Sequence, residues 1–268
     1  MILGIDFGAT TTDFALMQKG KIKKLFSAGQ IAPVAISKAI PKILREKKIE
    51  LSLIKSIVVT GGRSSRIKKL LGMKPVHVDE INAIGFGALF LAKKKKAIAV
   101  SVGTGTCVVL CDSGKCSHLG GTGLGGGTIT GLGMLLSGVG DAEKIDQLAS
   151  KGTLSRTDLT VNDIVGSGIG IIPSNATASN FASLKNPRTC DKLLAVENLT
   201  AETVAIVAVL CARSQKINKI IFTGRATTLK NVRKNIQKIS KFYKFNFIFP
   251  QKREYATALG AVLYSTRL

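Results

Sequence analysis

Four glycine- and threonine-rich segments recur in a fixed order, and three of them follow short apolar, β-branched runs. Asp6-Phe7-Gly8-Ala9-Thr10-Thr11-Thr12 comes after Ile2-Leu3-Gly4-Ile5, and Ser101-Val102-Gly103-Thr104-Gly105-Thr106 comes after Ala97-Ile98-Ala99-Val100. Thr223-Gly224-Arg225 follows Lys219-Ile220-Ile221-Phe222, and Ala258-Leu259-Gly260-Ala261 closes the series. A strand that runs into Gly and Thr exposes unpaired backbone N–H groups and short hydroxyls, which suit a phosphate. Strand-to-turn transitions are also glycine-rich for steric reasons alone. Two such loops far apart in the chain, with a distal glycine turn, point to a nucleotide held between two halves.

The 268 residues suffice for one large domain or two lobes. Hydrophobic residues at 45% and charged residues at 21% describe a soluble globular chain rather than a disordered one. No apolar run is read as membrane-spanning and no leader is evident, so the expected location is the cytoplasm. The five cysteines, Cys107, Cys111, Cys116, Cys190 and Cys211, form no Cys-x-x-Cys pair, and His77 and His118 lie away from metal-ligand spacing. Buried, reduced thiols are the expected state.

A formal charge of +23 raises the question of nucleic acid. The basic residues are nevertheless dispersed over Lys19–Lys24, Lys93–Lys96 and the 230–244 segment, without interleaved aromatics or a recognisable nucleic-acid motif. The charge is therefore read as solvated surface that also attracts anionic small molecules.

The pattern alternates strands and helices. Asp13–Gln18 and Lys21–Ser27 flank a hairpin turn at Lys19-Gly20. Ile36–Lys47 reads as a basic amphipathic helix interrupted by Pro41, Ser56–Thr60 as a buried strand, and Ser64–Leu71 as a further helix. The strand Pro75–Val78 leads to Asp79, a good N-cap for a helix over Glu80–Ala92. Lys93–Lys96 divides the chain into lobes 1–95 and 96–268, because the strand, Gly-Thr turn and strand pattern then restarts at 97–111. Helices are expected at 128–138, 141–151, 157–166, 197–215, 226–241 and 253–265, with a strand at 219–223. The fold class is α/β, with mixed sheets in each lobe.

Asp6 ends the first strand beside the first Gly-Thr turn, where a carboxylate can serve a phosphate-bound magnesium ion. The competing reading is a turn-forming Asp, and Gly8 with Thr10–Thr12 immediately after it favours the metal role. Local sequence alone favours Glu80 as a first-turn carboxylate that complements its helix dipole over a general base, and leaves Asp79 an equal candidate for the base. Gly120-Gly121-Thr122-Gly123-Leu124-Gly125-Gly126-Gly127-Thr128 is the most glycine-dense segment. It leads into an apolar helix and is expected to deliver helix N-terminal N–H groups to an anion.

The ordered set Gly103–Thr106, Gly120–Thr128 and Gly131-Leu132 resembles the type II, Fumble-type pantothenate kinases of the actin, sugar-kinase and heat-shock-chaperone ATPase superfamily. Glu80, Ala178-Ser179-Asn180-Phe181, Ile220–Gly224 and Ala258–Ala261 extend the resemblance over nearly the whole chain. It implies a two-lobed ribonuclease-H-like fold that transfers the γ-phosphoryl group of ATP to pantothenate, the first step of coenzyme A synthesis. Glu80 would then be the general base and Asp6 would organise Mg2+. Gly8, Thr10, Thr11, Gly103, Thr104, Gly105 and Thr106 would hold phosphates, with Gly125, Gly126 and Gly127 close by and Gly224 bordering the adenosine. His118, Gly121, Thr122, Asn180 and Phe181 would shape the acceptor site. A homodimer is also implied, with the helix at 197–215 contributing.

Two positions depart from the family pattern. Asp13 stands where a basic residue is usual, and His118 stands where an arginine commonly meets the substrate. Arg63, Arg66 and Arg225 are the cations available to compensate. Alternative readings are a superfamily kinase for another small alcohol or a sugar, and a non-catalytic nucleotide-binding regulator. An activator of dehydratases shares the first turn but needs a cluster that no cysteine pair here supplies. Nucleic-acid binding comes last.

Overall fold

The computed structural model describes residues 1–267. Six segments build its first half: β1 (Ile2–Phe7), β2 (Thr11–Gln18), β3 (Lys21–Gly29), α1 (Ile36–Glu46), β4 (Ser56–Thr60) and β5 (Val76–His77). They form a sheet of order β3-β2-β1-β4-β5. β1 to β3 are antiparallel, and β4 and β5 add in parallel after helical connections. The Lys19-Gly20 turn joins β2 to β3 with both residues at positive φ, the geometry that matches the twist of a two-residue hairpin.

α2 (Glu80–Ala92) then leads to β6 (Lys96–Val102), β7 (Thr106–Asp112) and β8 (Lys115–Thr122). After these come α3 (Gly126–Ser137), α4 (Ala142–Ala149), β9 (Leu159–Thr160), α5 (Val161–Val165), β10 (Thr177–Ser179) and α6 (Thr189–Ser214). The chain ends with β11 (Lys219–Thr223), α7 (Lys230–Tyr243), β12 (Asn246–Ile248) and α8 (Ala256–Ser265). The second five-stranded sheet has the order β12-β11-β6-β7-β8, so β6, β7, β8, β11 and β12 repeat the plan of β1 to β5. The restart after Lys96 is thus a duplication of topology.

Each sheet has its own core. Leu3, Ile5, Phe14, Ile40, Leu44 and Ile57 pack around α1, while Ile98, Val100, Val204, Phe222 and Ile236 pack beneath α6 and α7. Between the sheets lie α2 and α8. Ile84 and Ala88 of α2 pack on Ala97, Ala99 and Val109 of the second sheet, and Leu259 and Val262 of α8 pack with Ala15 and Met17 of the first. The two helices meet through glycine. A Cβ on Gly87 would overlap the Ala256 carbonyl, and one on Gly260 would overlap the Ala83 carbonyl.

Several local expectations are corrected. Pro41 does not interrupt α1; the carbonyl its missing N–H would have served belongs to Ser37, which is solvent-exposed. Ser64–Leu71 contains only a 3-10 turn at Ser64–Arg66, and Leu70 then bridges Met73 across a tight turn at Gly72. The helix expected over 157–166 shrinks to α5, because Thr160 caps it by accepting from the Asp163 amide. β12 was not anticipated.

α6 starts eight residues earlier than expected, at Thr189, where Asp191 accepts hydrogen bonds from the Arg188 and Thr153 amides. This helix is also long and apolar enough to cross a membrane, which corrects the reading that no run reaches that length. Its Leu193, Val196, Ala201, Val204 and Ala208 are fully buried against the second sheet and α7, as a core helix requires.

Candidate active site

Because the two sheets share one plan, the carboxyl ends of β1 and β6 face one cleft from opposite sides. The cleft has a volume of about 1020 Å³. Asp6, Gly8, Thr10 and Thr11 line it from the first half. Gly103, Thr104, Gly105, Thr106, Thr122, Gly126 and Gly127 line it from the second, with Gly224 at one end and Glu80 at the start of α2. The hydroxyls of Thr10 and Thr104 stand 3.4 Å apart, so the two Gly-Thr turns oppose each other directly. The amides of Ala9, Thr10, Thr104 and Gly105 find no acceptor among the described residues. Four such donors around one gap form an anion-binding concavity.

The glycine-dense segment is less of a loop than expected. β8 runs to Thr122 and α3 begins at Gly126, leaving only Gly123–Gly125 as a connection. Gly125, Gly126 and Gly127 pack closely on the 103–105 turn. Gly126 N–H donates to the Gly103 carbonyl at 2.7 Å and Gly127 N–H to the Thr104 carbonyl at 2.9 Å. A Cβ on Gly125 would overlap the Thr104 carbonyl and Gly105. Two N-terminal amides of α3 therefore hold the second turn in place rather than pointing freely into the cleft, and Gly125 itself lies behind the lining. Thr106 Oγ1 donates to the Leu124 carbonyl at 2.7 Å and locks the same junction.

Glu80 and Asp6 are two of the six carboxylates that line the cleft. Asp79 caps α2, accepting from the Asn82 amide at 2.9 Å and from its side chain at 2.6 Å. The cap is thereby occupied, and Glu80, one residue on, is the carboxylate left on the cleft wall. Burial raises the Glu80 carboxyl above its usual range. Asp6 is pushed up to about 8, first by burial and then by the nearby Asp13 and Glu80. Gly61, at φ +88°, is packed so closely on the Asp6 carboxylate that any side chain there would displace it. Cys107 lies in the same wall, its thiol raised to about 11 by burial and by Glu80.

Asp6 fits a magnesium ion carried on a nucleotide, which characteristically takes one or two protein carboxylates and phosphate oxygens. Among the described residues, no group of three or more His, Cys, Asp or Glu side chains makes an all-protein metal cage. A carboxyl raised by burial and by two neighbouring acids is one that a divalent cation would stabilise in its charged form.

Two cations line the cleft, Arg63 and Arg225. Arg225 Nη2 contacts Asp13 Oδ1 at 2.5 Å and Ser27 Oγ at 2.7 Å, bridging from the turn after β11 to β2 and β3. Sequence reasoning noticed Asp13 and Arg225 separately and had no signal that they pair. The cleft also collects Thr130, Asp141, Glu143 and Glu254, which sequence reasoning missed because nothing local marks them.

Four residues expected at the acceptor site lie outside the cleft lining, which keeps only Thr122 of that set. His118 is exposed on β8, outside the cleft lining. Asn180 and the Phe181 amide donate to the buried Asp158 carboxylate at 3.3 and 2.9 Å, in a polar cluster with Asn198 and Glu202 on α6. Gly121 backs onto the Thr106 carbonyl, where only a glycine leaves room.

Comparison with known proteins follows the same lines. The Fumble family model matches residues 97–264. The chain is 31% identical over 280 residues to a type II pantothenate kinase of Bacillus cereus, covering 98% of this chain and 97% of the relative. It is 28% identical to one from Oceanobacillus iheyensis, covering 98% and 99%. Among solved structures, the activator of the 2-hydroxyisocaproyl-CoA dehydratase from Clostridium difficile with bound ADPNP superposes with a TM-score of 0.69 at 14% identity, covering 99% of this chain and 94% of that one. A ROK family glucokinase from Streptomyces griseus in complex with glucose and AMPPNP gives 0.59 at 13% identity, covering 97% of each. These likenesses show the fold to be that of the two-lobed, actin-like ATPases.

Proposed function

The chain belongs to the Fumble family, and from that membership we propose that it is an ATP-dependent kinase that phosphorylates pantothenate to 4'-phosphopantothenate. The observation that carries this reading is the full-length likeness to type II pantothenate kinases, with 31% identity over 98% of the chain.

The geometry supports a division of labour. The turns at Gly8–Thr11 and Gly103–Thr106 bracket the phosphates with amides and hydroxyls, which position the γ-phosphoryl group and stabilise its charge. Mg2+, held by Asp6 and the nucleotide, would neutralise charge on the phosphates. Glu80 takes the proton from the acceptor hydroxyl as it attacks phosphorus and the bond to the β-phosphate oxygen breaks. Its desolvated position makes the carboxylate a stronger base than one in water. Gly224, at φ +89° against Val102, gives the adenosine end a flat wall.

The finer assignments extend this reading. The lobes are 1–95 and 96–268, the protein acts in the cytoplasm as a homodimer, and it needs neither membrane nor nucleic acid. Exposed Met134, Leu135 and Leu136 on α3 and Leu210 on α6 offer apolar surface for a second copy.

The test is ADP release with Mg2+ and ATP, with and without pantothenate, beside a panel of sugars. Pantothenate-dependent turnover is the expected result. Turnover with a sugar alone would retain the phosphate chemistry and replace the acceptor; ATP binding without any turnover would make the protein a regulator.

A further inference from the structure

β7 turns three alternate side chains, Cys107, Val109 and Cys111, toward α2, and Val109 and Cys111 are fully buried there. Cys107 belongs to the cleft wall. Cys111 lies four residues further on, about 13 Å away along an extended strand, where the hairpin turns into β8. Ser113 and Gly114 make a two-residue turn, both at positive φ, and Asp112 pairs with Lys115 to close it. In such a hairpin the closing pair exchanges hydrogen bonds and the next pair does not. That next pair is Cys111 and Cys116. Residues facing each other at a non-hydrogen-bonded position have Cα atoms about 4.5 Å apart, within the span of a disulfide.

The sulfurs are also together. They lie 2.0 and 2.3 Å from the point that a Cβ on Gly85 would occupy, so no more than 4.3 Å separates them. Both are free thiols. Gly85 is on α2, so the backbone of that helix rests directly on the two sulfurs. Glu80 stands five residues earlier, about 7.5 Å along the helix axis. β8 is an edge strand and Cys116 is only partly buried, which leaves its thiol within reach of a solute. The Cys111 thiol beside it holds the Cys116 thiol below its ordinary value, with Arg267 assisting and Asp79 opposing. The Arg267 guanidinium sits on the hairpin turn at Gly114 and over the Phe86 ring, 4.5 Å from its centroid.

We propose that Cys111 and Cys116 form a reversible disulfide site, and that its oxidation state sets the seating of α2 and hence the turnover of the enzyme. The oxidant is a low-molecular-weight disulfide. The Cys116 thiolate attacks one of its sulfurs and expels the first small thiolate. Cys111 then gives up its proton and attacks the Cys116 sulfur, which expels the second. Two cysteine thiols are thereby oxidised to one disulfide, the small disulfide is reduced to two thiols, and the cysteine protons pass to these leaving groups. Excess small thiol reverses both steps. Closing the bond brings the sulfurs to about 2 Å and shifts them beneath Gly85, where α2 has no side chain to adjust. The effect on turnover rests on the kinase reading, whereas formation of the bond does not.

The experiment incubates the full chain with oxidised glutathione, measures kcat, and digests the protein with trypsin without reduction. Cleavage after Lys115 separates Cys116 from the peptide that carries Cys107 and Cys111, so only a disulfide keeps the two peptides joined. The expected result is a joined pair of peptides, in Cys107→Ala as in wild type, and a fall in kcat of about tenfold or more that dithiothreitol restores. Cys116→Ala and Cys116→Ser each leave Cys111 without a partner, and turnover in both should be insensitive to the oxidant. Hydrogen exchange should differ between the oxidised and reduced protein along α2. A disulfide that leaves turnover unchanged overturns the proposal. So does an oxidative loss that vanishes in Cys107→Ala, or glutathione that stays on Cys116 and never yields the joined peptides. Reduced wild type that does not phosphorylate pantothenate would overturn the functional reading instead, and the joined peptides with hydrogen exchange on α2 would still decide the disulfide site.

Discussion

Arg225 reaches from the end of β11 to Asp13 on β2, making the one ion pair among the described residues that joins the two sheets. Asp13 is 7% exposed, while the Arg225 side chain is 42% exposed. The pair therefore contains one charge that water cannot serve and one that it can. Ser27 stabilises the same carboxylate from β3 with a hydrogen bond of 2.6 Å. Burial nevertheless leaves Asp13 raised above its usual range, with Arg225 pulling in the opposite direction.

Removing Arg225 should consequently cost more than removing Asp13. Arg225→Ala strands a buried carboxylate, at an expected cost of about 2 kcal/mol once the exposed side is discounted. Asp13→Asn leaves a guanidinium that solvent can reach. The carboxyl of Asp13, already raised, rises further in Arg225→Ala, so its destabilising effect grows as pH increases through the folded value. Melting curves should show a Tm deficit for Arg225→Ala that is larger at pH 8 than at pH 5. A deficit that does not change with pH would place the loss in packing.

Glu80→Gln keeps shape and removes basicity. The expected fall in kcat is roughly 10²- to 10⁴-fold, with the dissociation constant for ATP nearly unchanged. Because burial raises Glu80 above 4.5, the active, ionised form is lost as pH falls through a value higher than that of an ordinary glutamate. The acidic limb of the kcat profile should sit there and disappear in the variant. An unaltered limb in Glu80→Gln would assign it to another group.

The crossing of α2 and α8 depends on two missing side chains. A methyl group at Gly87 meets the Ala256 carbonyl, and one at Gly260 meets the Ala83 carbonyl and the Gly87 amide. Neither obstacle is the end of a flexible side chain, so the helices must separate. Gly87→Ala and Gly260→Ala should each cost about 2 kcal/mol and lower Tm by roughly 5 °C. Substitution of an exposed α2 residue such as Phe90 by Ala should not reproduce the loss. Because α2 carries Glu80 at its first turn, kcat is expected to fall along with stability.

The residues that the sequence made legible are those whose role is set by near neighbours. Lys19-Gly20 announced a hairpin because the turn demands positive φ at both residues. Asp79 announced a helix start because a cap needs only the next turn. The two Gly-Thr turns were visible because each follows its own strand. What sequence reasoning could not read depends on distant partners. Arg225 and Asp13 pair across 212 residues, and the glycines at 125–127, of which Gly126 and Gly127 line the cleft, also make room for the backbone of 103–105. Asn180 and Phe181 turn toward Asp158, 22 and 23 residues earlier, and so leave the cleft.

Glu197 gives the clearest link between buried charge and pH. It lies on α6 with no solvent exposure, and neither carboxylate oxygen finds a hydrogen-bond partner among the described residues. Burial, then the neighbouring Asp146, raises its carboxyl to about 8. Asp146 is itself engaged, accepting from the Lys230 and Asn231 amides at the start of α7. In the unfolded chain Glu197 ionises near 4.5, so between that value and about 8 the folded state holds a proton that the unfolded state has released. Stability is therefore undiminished below 4.5, falls as pH rises through this window, and levels off above it. A shift of this size corresponds to about 5 kcal/mol in order of magnitude. Glu197→Gln cannot ionise and escapes the loss. Its Tm relative to wild type should climb by several degrees between pH 5 and pH 9, with most of the change before pH 8. A Tm difference that stays constant over that range would mean that Glu197 is charged throughout and finds a counter-charge in the folded state.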